Sequence, residues 1–217
     1  MGWVIDGTAA SRMGAIIMMS NQSGREMKAE PIFQGELVYL IPPDPETDAG
    51  LFASWMRDSE FVRLMDADPA KLMSIEKHKQ WLEKDLHEEQ RNDELFFLIR
   101  TRKEEKTIGL IGLDGIRWVH GEAWIGIGLG EREHWGKGYG TDAMLVIQRY
   151  AFDELNLHRL SLTVFEYNQR AIRSYEKAGF IVEGRARKFL NREGRRYDMI
   201  FMGILRDEWE RMVGRKR

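Results

Sequence analysis

His134-Trp-Gly-Lys-Gly-Tyr-Gly140, running on into Thr141-Asp-Ala-Met144, is the stretch on which the reading of this 217-residue chain turns. Three glycines at alternate positions allow backbone angles that residues with a Cβ avoid. Downstream, Met144, Ile147, Ala151 and Leu155 form one apolar stripe, which predicts a helix over 141–155. Upstream, residues 121–130 read as a strand. A strand, a glycine turn and a helix in that order leave unpaired N–H groups and the positive end of a helix dipole facing the turn. Such a corner cradles phosphate, and Lys137 adds a point charge beside it. A tight strand-to-helix connection with no ligand has the same local signature.

Other phosphate loops fit poorly. A Walker-type loop needs Gly-Lys followed by Ser or Thr, but Gly138 follows Lys137. A dinucleotide fingerprint needs a third glycine where Thr141 stands. The strand before the turn, Ile125-Gly-Ile-Gly-Leu-Gly130, is also unusual, because glycine weakens strand interiors. Either a ligand lies along it or the strand is twisted and loosely packed.

Further out, the patterning alternates between strand and helix periods. Glu36–Ile41 reads as a strand ended by Pro42 and Pro43, Asp48–Met65 as one or two short helices, and Glu76–Glu89 as an amphipathic helix capped by Ser74. Strands are predicted at 94–102, 107–118 and 158–167, a short helix over Gln169–Lys177 stopped by Gly179, and strands at 180–186 and 197–205 joined by the turn Asn191–Gly194. This order implies an α+β (mixed α/β) domain built on one mixed sheet. Residues 1–34 show neither period and read as an N-terminal extension, either poorly ordered or packed as an arm, ahead of a domain over 35–217.

Composition narrows the function classes. Lys plus Arg is 33 and Asp plus Glu is 35, a net charge of -2, which does not suggest a nucleic-acid or membrane partner. The basic run Arg185, Arg187, Lys188, Arg192, Arg195, Arg196 reads as a solvated hairpin face. There is no cysteine, hence no disulfide or thiolate chemistry, and the histidines show no metal-ligand spacing, so no metal is expected. The apolar patch Met13–Met19 lacks the basic start and core of a signal peptide, and a cytoplasmic location is expected.

A second constellation follows the turn: Asn168 at a strand end, Tyr175 on the next helix, then Ala178-Gly-Phe180. Taken alone, Asn168 is a helix cap and Tyr175 a core residue. Together, the strings Trp135–Ala143 and Asn168–Phe180 resemble the GNAT superfamily of N-acetyltransferases, in its RimJ/RimL-like branch, over about residues 35–209. The resemblance implies a GNAT-like fold, a central mixed but mostly antiparallel sheet of about seven strands flanked by helices. It implies acetyl-CoA as co-substrate and transfer of the acetyl group to a primary amine, whether a protein N-terminus, a polyamine or another small amine. Backbone N–H groups of Trp135, Gly136, Lys137, Gly138, Tyr139, Gly140 and Thr141 would hold the CoA pyrophosphate. Ile127, Gly128 and Leu129 would pair with the pantetheine arm, and Asn168 would hydrogen-bond CoA or a nearby water. Tyr175 would protonate the departing sulfur, its phenol being close to a thiol in pKa.

Two departures stand out. Trp135 occupies a position where the family usually has Arg or Gln, and Trp124 one where this branch often has Glu. Glu122, two residues earlier and on the same strand face, is the candidate general base; Glu131, Glu133 and water are alternatives. The missing Glu also leaves open a non-catalytic acyl-CoA-binding module. Related proteins often form dimers, so a homodimer is compatible with the resemblance.

Overall fold

The computed structural model describes residues 31–87 and 93–214. The expected extension over 1–30 lies outside them. Residues 31–34, grouped with that extension on sequence, are tied to the domain: Phe33 packs on Phe97 and Tyr150, and Gln34 bridges to Tyr39.

Strand β1 (Val38–Ile41) is followed by helices α1 (Pro45–Trp55), α2 (Ser59–Met65) and α3 (Ile75–His87). Each helix start is written in the sequence. Asp44 and Asp58 accept backbone amides at the starts of α1 and α2, and Ser74 accepts the Lys77 amide at 3.2 Å. The antiparallel run β2 (Leu95–Thr101), β3 (Thr107–Arg117) and β4 (Glu122–Leu129) comes next. Helix α4 (Tyr139–Arg149) continues into a π-helical turn at Tyr150–Glu154. Then come β5 (Arg159–Phe165), α5 (Gln169–Lys177), the hairpin β6 (Ile181–Arg192) and β7 (Arg195–Leu205), and α6 (Arg206–Met212).

The seven strands form one sheet in the order β1-β2-β3-β4-β5-β7-β6. Every pairing is antiparallel except β4 with β5. That parallel pairing is short, joining only Glu122–Trp124 to Arg159–Ser161. Beyond it the two strands no longer pair with each other, so the sheet splits open between Ile125–Leu129 and Leu162–Phe165.

Alternate residues of β2 and β3 serve two cores, Ile99 and Ile111 in one and Leu98 and Leu110 in the other. Ala123 and Ile125 face α4 and the π-helical turn after it, whose Met144, Ile147 and Ala151 are fully buried against the sheet. On the other face Phe52, Trp55, Phe61 and Leu82 from α1–α3 pack on Leu98 and Leu110. Burying each such side chain stabilises the fold by roughly 1.5–3 kcal/mol.

This second layer explains two strand glycines. A Cβ on Gly128 would sit 2.3 Å from the Met65 sulfur, and one on Gly130 would sit 2.2 Å from the Trp55 ring. These two glycines admit helices on that face, a reason that neither alternative drawn from the sequence contained. Gly126 alone of the three faces open space.

Candidate active site

The split between β4 and β5 opens into a cavity of about 280 Å³, walled by the end of β4, the start of α4, α5, and Phe61, Leu64 and Met65 of α2. It collects ten of the residues singled out in the sequence: Ile127, Gly128, Leu129, Trp135, Gly136, Gly138, Gly140, Thr141, Asn168 and Tyr175.

The turn reaches this cavity through local bonds. A single 3-10 turn at Arg132–His134 ends with the Trp135 amide donating to the Arg132 carbonyl at 3.0 Å. That amide is therefore already used, and the expected phosphate donors begin at Gly136. The Trp135 indole Nε1 donates to the Leu129 carbonyl at 2.7 Å, pinning the loop to β4. Gly136 and Gly138 have φ of 73° and 93°, the left-handed region where a side chain is strained. The first intrahelical bond of α4 runs from the Asp142 amide to the Gly138 carbonyl, so the amides of Tyr139, Gly140 and Thr141 point out of the helix start.

Two members of the expected phosphate set contribute no side chain here. Lys137 is exposed and does not line the cavity. Tyr139 turns inward, edge-on to His134 at 5.1 Å. Asp142, the acidic residue of the first turn, points away from the cavity. Its carboxylate accepts the amides of Glu36, Leu37 and Val38 at 2.8–3.1 Å, fastening β1 to α4.

Asn168 is the N-cap of α5: its Oδ1 accepts the Ala171 amide at 3.2 Å, which leaves the Nδ2 donors for the cavity. Tyr175 is 9% exposed, and burial pushes its phenol up to about 12. It is therefore a neutral O–H donor throughout the working pH range.

Glu122 is not brought to this cavity. It starts β4, roughly 16 Å along the strand from Ile127 at 3.3 Å per residue. It pairs with Arg117 at 2.9 Å and lines a second groove with Trp124, Arg159, Ser161 and Glu183. The alternation argument gave the correct face but said nothing about distance along the strand. Glu131 and Glu133 are also committed. Glu131 accepts Trp55 Nε1 at 2.9 Å and Lys106 Nζ at 2.5 Å. Lys106 hydrogen-bonds Glu133 as well and holds it near pKa 2, too acidic for a base.

Sequence reasoning passed over Arg170, Arg173, Ser174 and Lys177, all on the cavity side of α5. Their spacing on an already predicted helix was the available signal. The Arg170 guanidinium lies 3.8 Å from the Trp135 ring centre, and the Ser174 and Thr141 hydroxyls share a 2.8 Å hydrogen bond. No carboxylate lines the cavity among the described residues.

An acetyltransferase (GNAT) domain profile matches residues 38–181. An uncharacterized N-acetyltransferase of Bacillus subtilis (strain 168), YokL, is 30% identical over 81% of this chain and 94% of its own length. The spermidine N(1)-acetyltransferase of Escherichia coli (strain K12) is 30% identical over 75% of this chain and 76% of its own. A crystal structure of spermidine N-acetyltransferase from Vibrio cholerae in complex with CoA and spermine superimposes with a TM-score of 0.70 at 25% identity, covering 79% of this chain and 97% of that one. With the profile spanning most of the domain and the relatives aligning along it, the chain is an acetyltransferase enzyme and belongs to the GNAT family.

Proposed function

We propose that this protein transfers the acetyl group of acetyl-CoA directly to a primary amine, in the manner of the RimJ/RimL-like branch. The observation that carries the reading is the convergence of the outward-pointing amides at the start of α4, the unpaired edge of β4 and the Tyr175 side chain on one cavity. A diphosphate fits the amides of Gly136 to Thr141, since a helix N-terminus supplies both donors and a favourable dipole. A pantetheine arm fits the edge of β4 beyond Trp124, which would treat it as an added strand. When bound, the acetyl thioester supplies the acyl carbon, whose C–S bond breaks as a C–N bond forms to a neutral amine.

The chain's own residues do the rest. An amide of the Ile127–Leu129 edge polarises the carbonyl, and strand and turn together fix position. Tyr175 donates its phenolic proton to the departing sulfur, and burial keeps that proton in place until the transfer. The proton lost by the amine leaves through water, because Glu122, Glu131 and Glu133 are all ion-paired and the cavity lining described here holds no carboxylate. The named spermidine acetyltransferases support an amine acceptor, which here is a small amine or a protein N-terminus. A non-catalytic acyl-CoA-binding module on this fold is disfavoured by the buried, neutral Tyr175.

The test is an acetyl-CoA-dependent screen across amine classes with mass spectrometry of the products. Acetylated amine with release of free thiol is the expected result. Tight binding of the thioester with no product from any amine would sink the catalytic reading.

A further inference from the structure

The hairpin of β6 and β7 carries a run of basic residues that the structure divides into two groups. Arg185 and Arg192 are spent inside the fold. Arg185 lies 3.4 Å from Asp198 and 3.7 Å from Glu166, and Arg192 donates to the carbonyls of Asp66 and Asp68. Arg187, Lys188, Arg195 and Arg196 are exposed, and no carboxylate pairs with them among the described residues. Arg195 lies over the Tyr197 ring at 5.9 Å.

The backbone holds part of this group out deliberately. Between Ala186 and Leu190 the register slips, so Arg187, Lys188 and Phe189 stand opposite Asp198 alone. Lys188 has a φ of 54°, in the left-handed region, and its amide donates to the Asp198 carboxylate at 2.9 Å. Glu166 holds Asp198 in turn by accepting its amide at 2.9 Å. A bulge of this kind re-aims side chains, and here it leaves the Phe189 ring 54% exposed beside the cations. The adjoining core of Phe165, Leu190 and Met199 does not include that ring.

The hairpin is also tied to the active-site wall. Glu193 at its turn pairs with Arg63 of α2 at 2.7 Å, and the Arg63 carbonyl accepts the Tyr167 hydroxyl at 2.7 Å. The same helix walls the cavity with Phe61, Leu64 and Met65. Helix α2 is only seven residues long, about 10 Å, so an extended chain of about ten residues spans both the cavity and the hairpin.

We propose that this hairpin is a docking surface for an acidic polypeptide whose own amino group accepts the acetyl. The inference rests on the acetyl-transfer reading above. Charge complementarity selects a polyanion, because the unpaired cations are gathered between Arg187 and Arg196 in a chain whose net charge is -2. The reaction then selects which polyanion. It needs a neutral alkyl amine, which a polypeptide carries at its N-terminus and on lysine. Nucleic acids carry none, since the amino groups of the bases are conjugated with the rings. Phe189 adds an apolar contact that side chains of a peptide can meet.

The experiment compares two peptides that share one neutral N-terminal segment and continue either in glutamates or in glutamines. Acetylation of each by the full chain is measured on the wild type and on Arg187→Gln/Lys188→Gln/Arg196→Gln. All three residues are exposed, so the variant is expected to fold. Wild type should show a kcat/KM about ten-fold higher for the acidic peptide, a preference that fades in roughly 0.5 M salt. In the variant the acidic peptide should fall to the level of the neutral one, whose kcat/KM stays put. Equal wild-type values would overturn the proposal, and so would a variant slowed equally on both peptides. Acetylation of small amines with neither peptide accepted would overturn it while leaving the catalytic reading standing. Fluorescence anisotropy with a labelled single-stranded RNA adds a further arm. RNA held by the hairpin cations, with no preference between the peptides, would assign the surface to nucleic acid and overturn the proposal. If no peptide and no small amine were acetylated, the acetyl-transfer reading itself would fall, and the proposal with it.

Discussion

Two cavities share strand β4, and they handle charge in opposite ways. The one at the end of the strand holds Arg170, Arg173 and Lys177 with no carboxylate in its described lining. The one at its beginning holds Glu122 and Glu183, each paired with an arginine. Charges that neutralise one another complete a surface, whereas a cluster of one sign is stable only at some cost and is suited to a partner from outside. The strand itself changes role at Trp124, its last residue paired to β5. Before that point it is ordinary sheet, and after it one edge is free.

The contrast can be broken most directly through Tyr175. Tyr175→Phe should lower turnover by about 10² to 10⁴ with binding of the thioester retained, measured by steady-state rates beside calorimetry. Unchanged turnover would remove the end cavity from the chemistry.

A pair of glycine variants sharpens the picture by separating ligand from fold. Gly130→Val puts a side chain into the Trp55 ring and should cost about 1–3 kcal/mol or more in denaturant unfolding. Gly138→Val strains a left-handed residue by roughly 1–2 kcal/mol, and its Cβ would meet only Leu37, at 3.4 Å. Its main effect should be about a ten-fold loss of CoA affinity. If both variants lose only stability, the turn is a connection and not a cradle.

The pH dependence gives a third handle. Burial raises Tyr175, so the neutral phenol is the folded form's preference. Its contribution to stability is complete below the unfolded value near 10 and is lost as pH rises towards about 12. Below pH 10, kcat/KM should rise with the fraction of neutral amine and show no carboxylate step. The smallest effect is expected at Glu122→Gln, with turnover within about two-fold and stability within about 1 kcal/mol, as for an exposed ion pair. A larger loss of turnover would draw the second groove into proton removal.

What could be read from sequence was local. The bounds of α5, the cap at Ser74 and the turn glycines all act through bonds a few residues long. The packing reason for Gly128 and Gly130 was hidden from the sequence, because Met65 and Trp55 come from helices far back in the chain. Helix α6 went unseen: it is seven residues long and buries only Trp209, too little for a period. The hairpin proved longer than its alternation suggested, because Lys188 takes a positive φ at an irregularity in β6 that resets the register. The cations of α5 were visible as residues, but their meaning depended on which helix stands beside them, and that is set by the Thr141–Ser174 contact.

The fastening of β1 by Asp142 has a consequence for how molecules of this protein meet one another. β1 is a terminal strand of the sheet, yet three of its outward groups are occupied: the Val38 amide by that carboxylate, the Val38 carbonyl by the Gly35 amide, the Leu40 amide by the Phe33 carbonyl. That margin is a poor template for a foreign strand. Of the two outer strands of the sheet, β6 is the one left open to self-adhesion, and it is interrupted by register breaks and studded with Arg185, Arg187 and Lys188. Resistance to strand-by-strand aggregation at high concentration should therefore depend on those charges, and neutralising them is where clumping would begin.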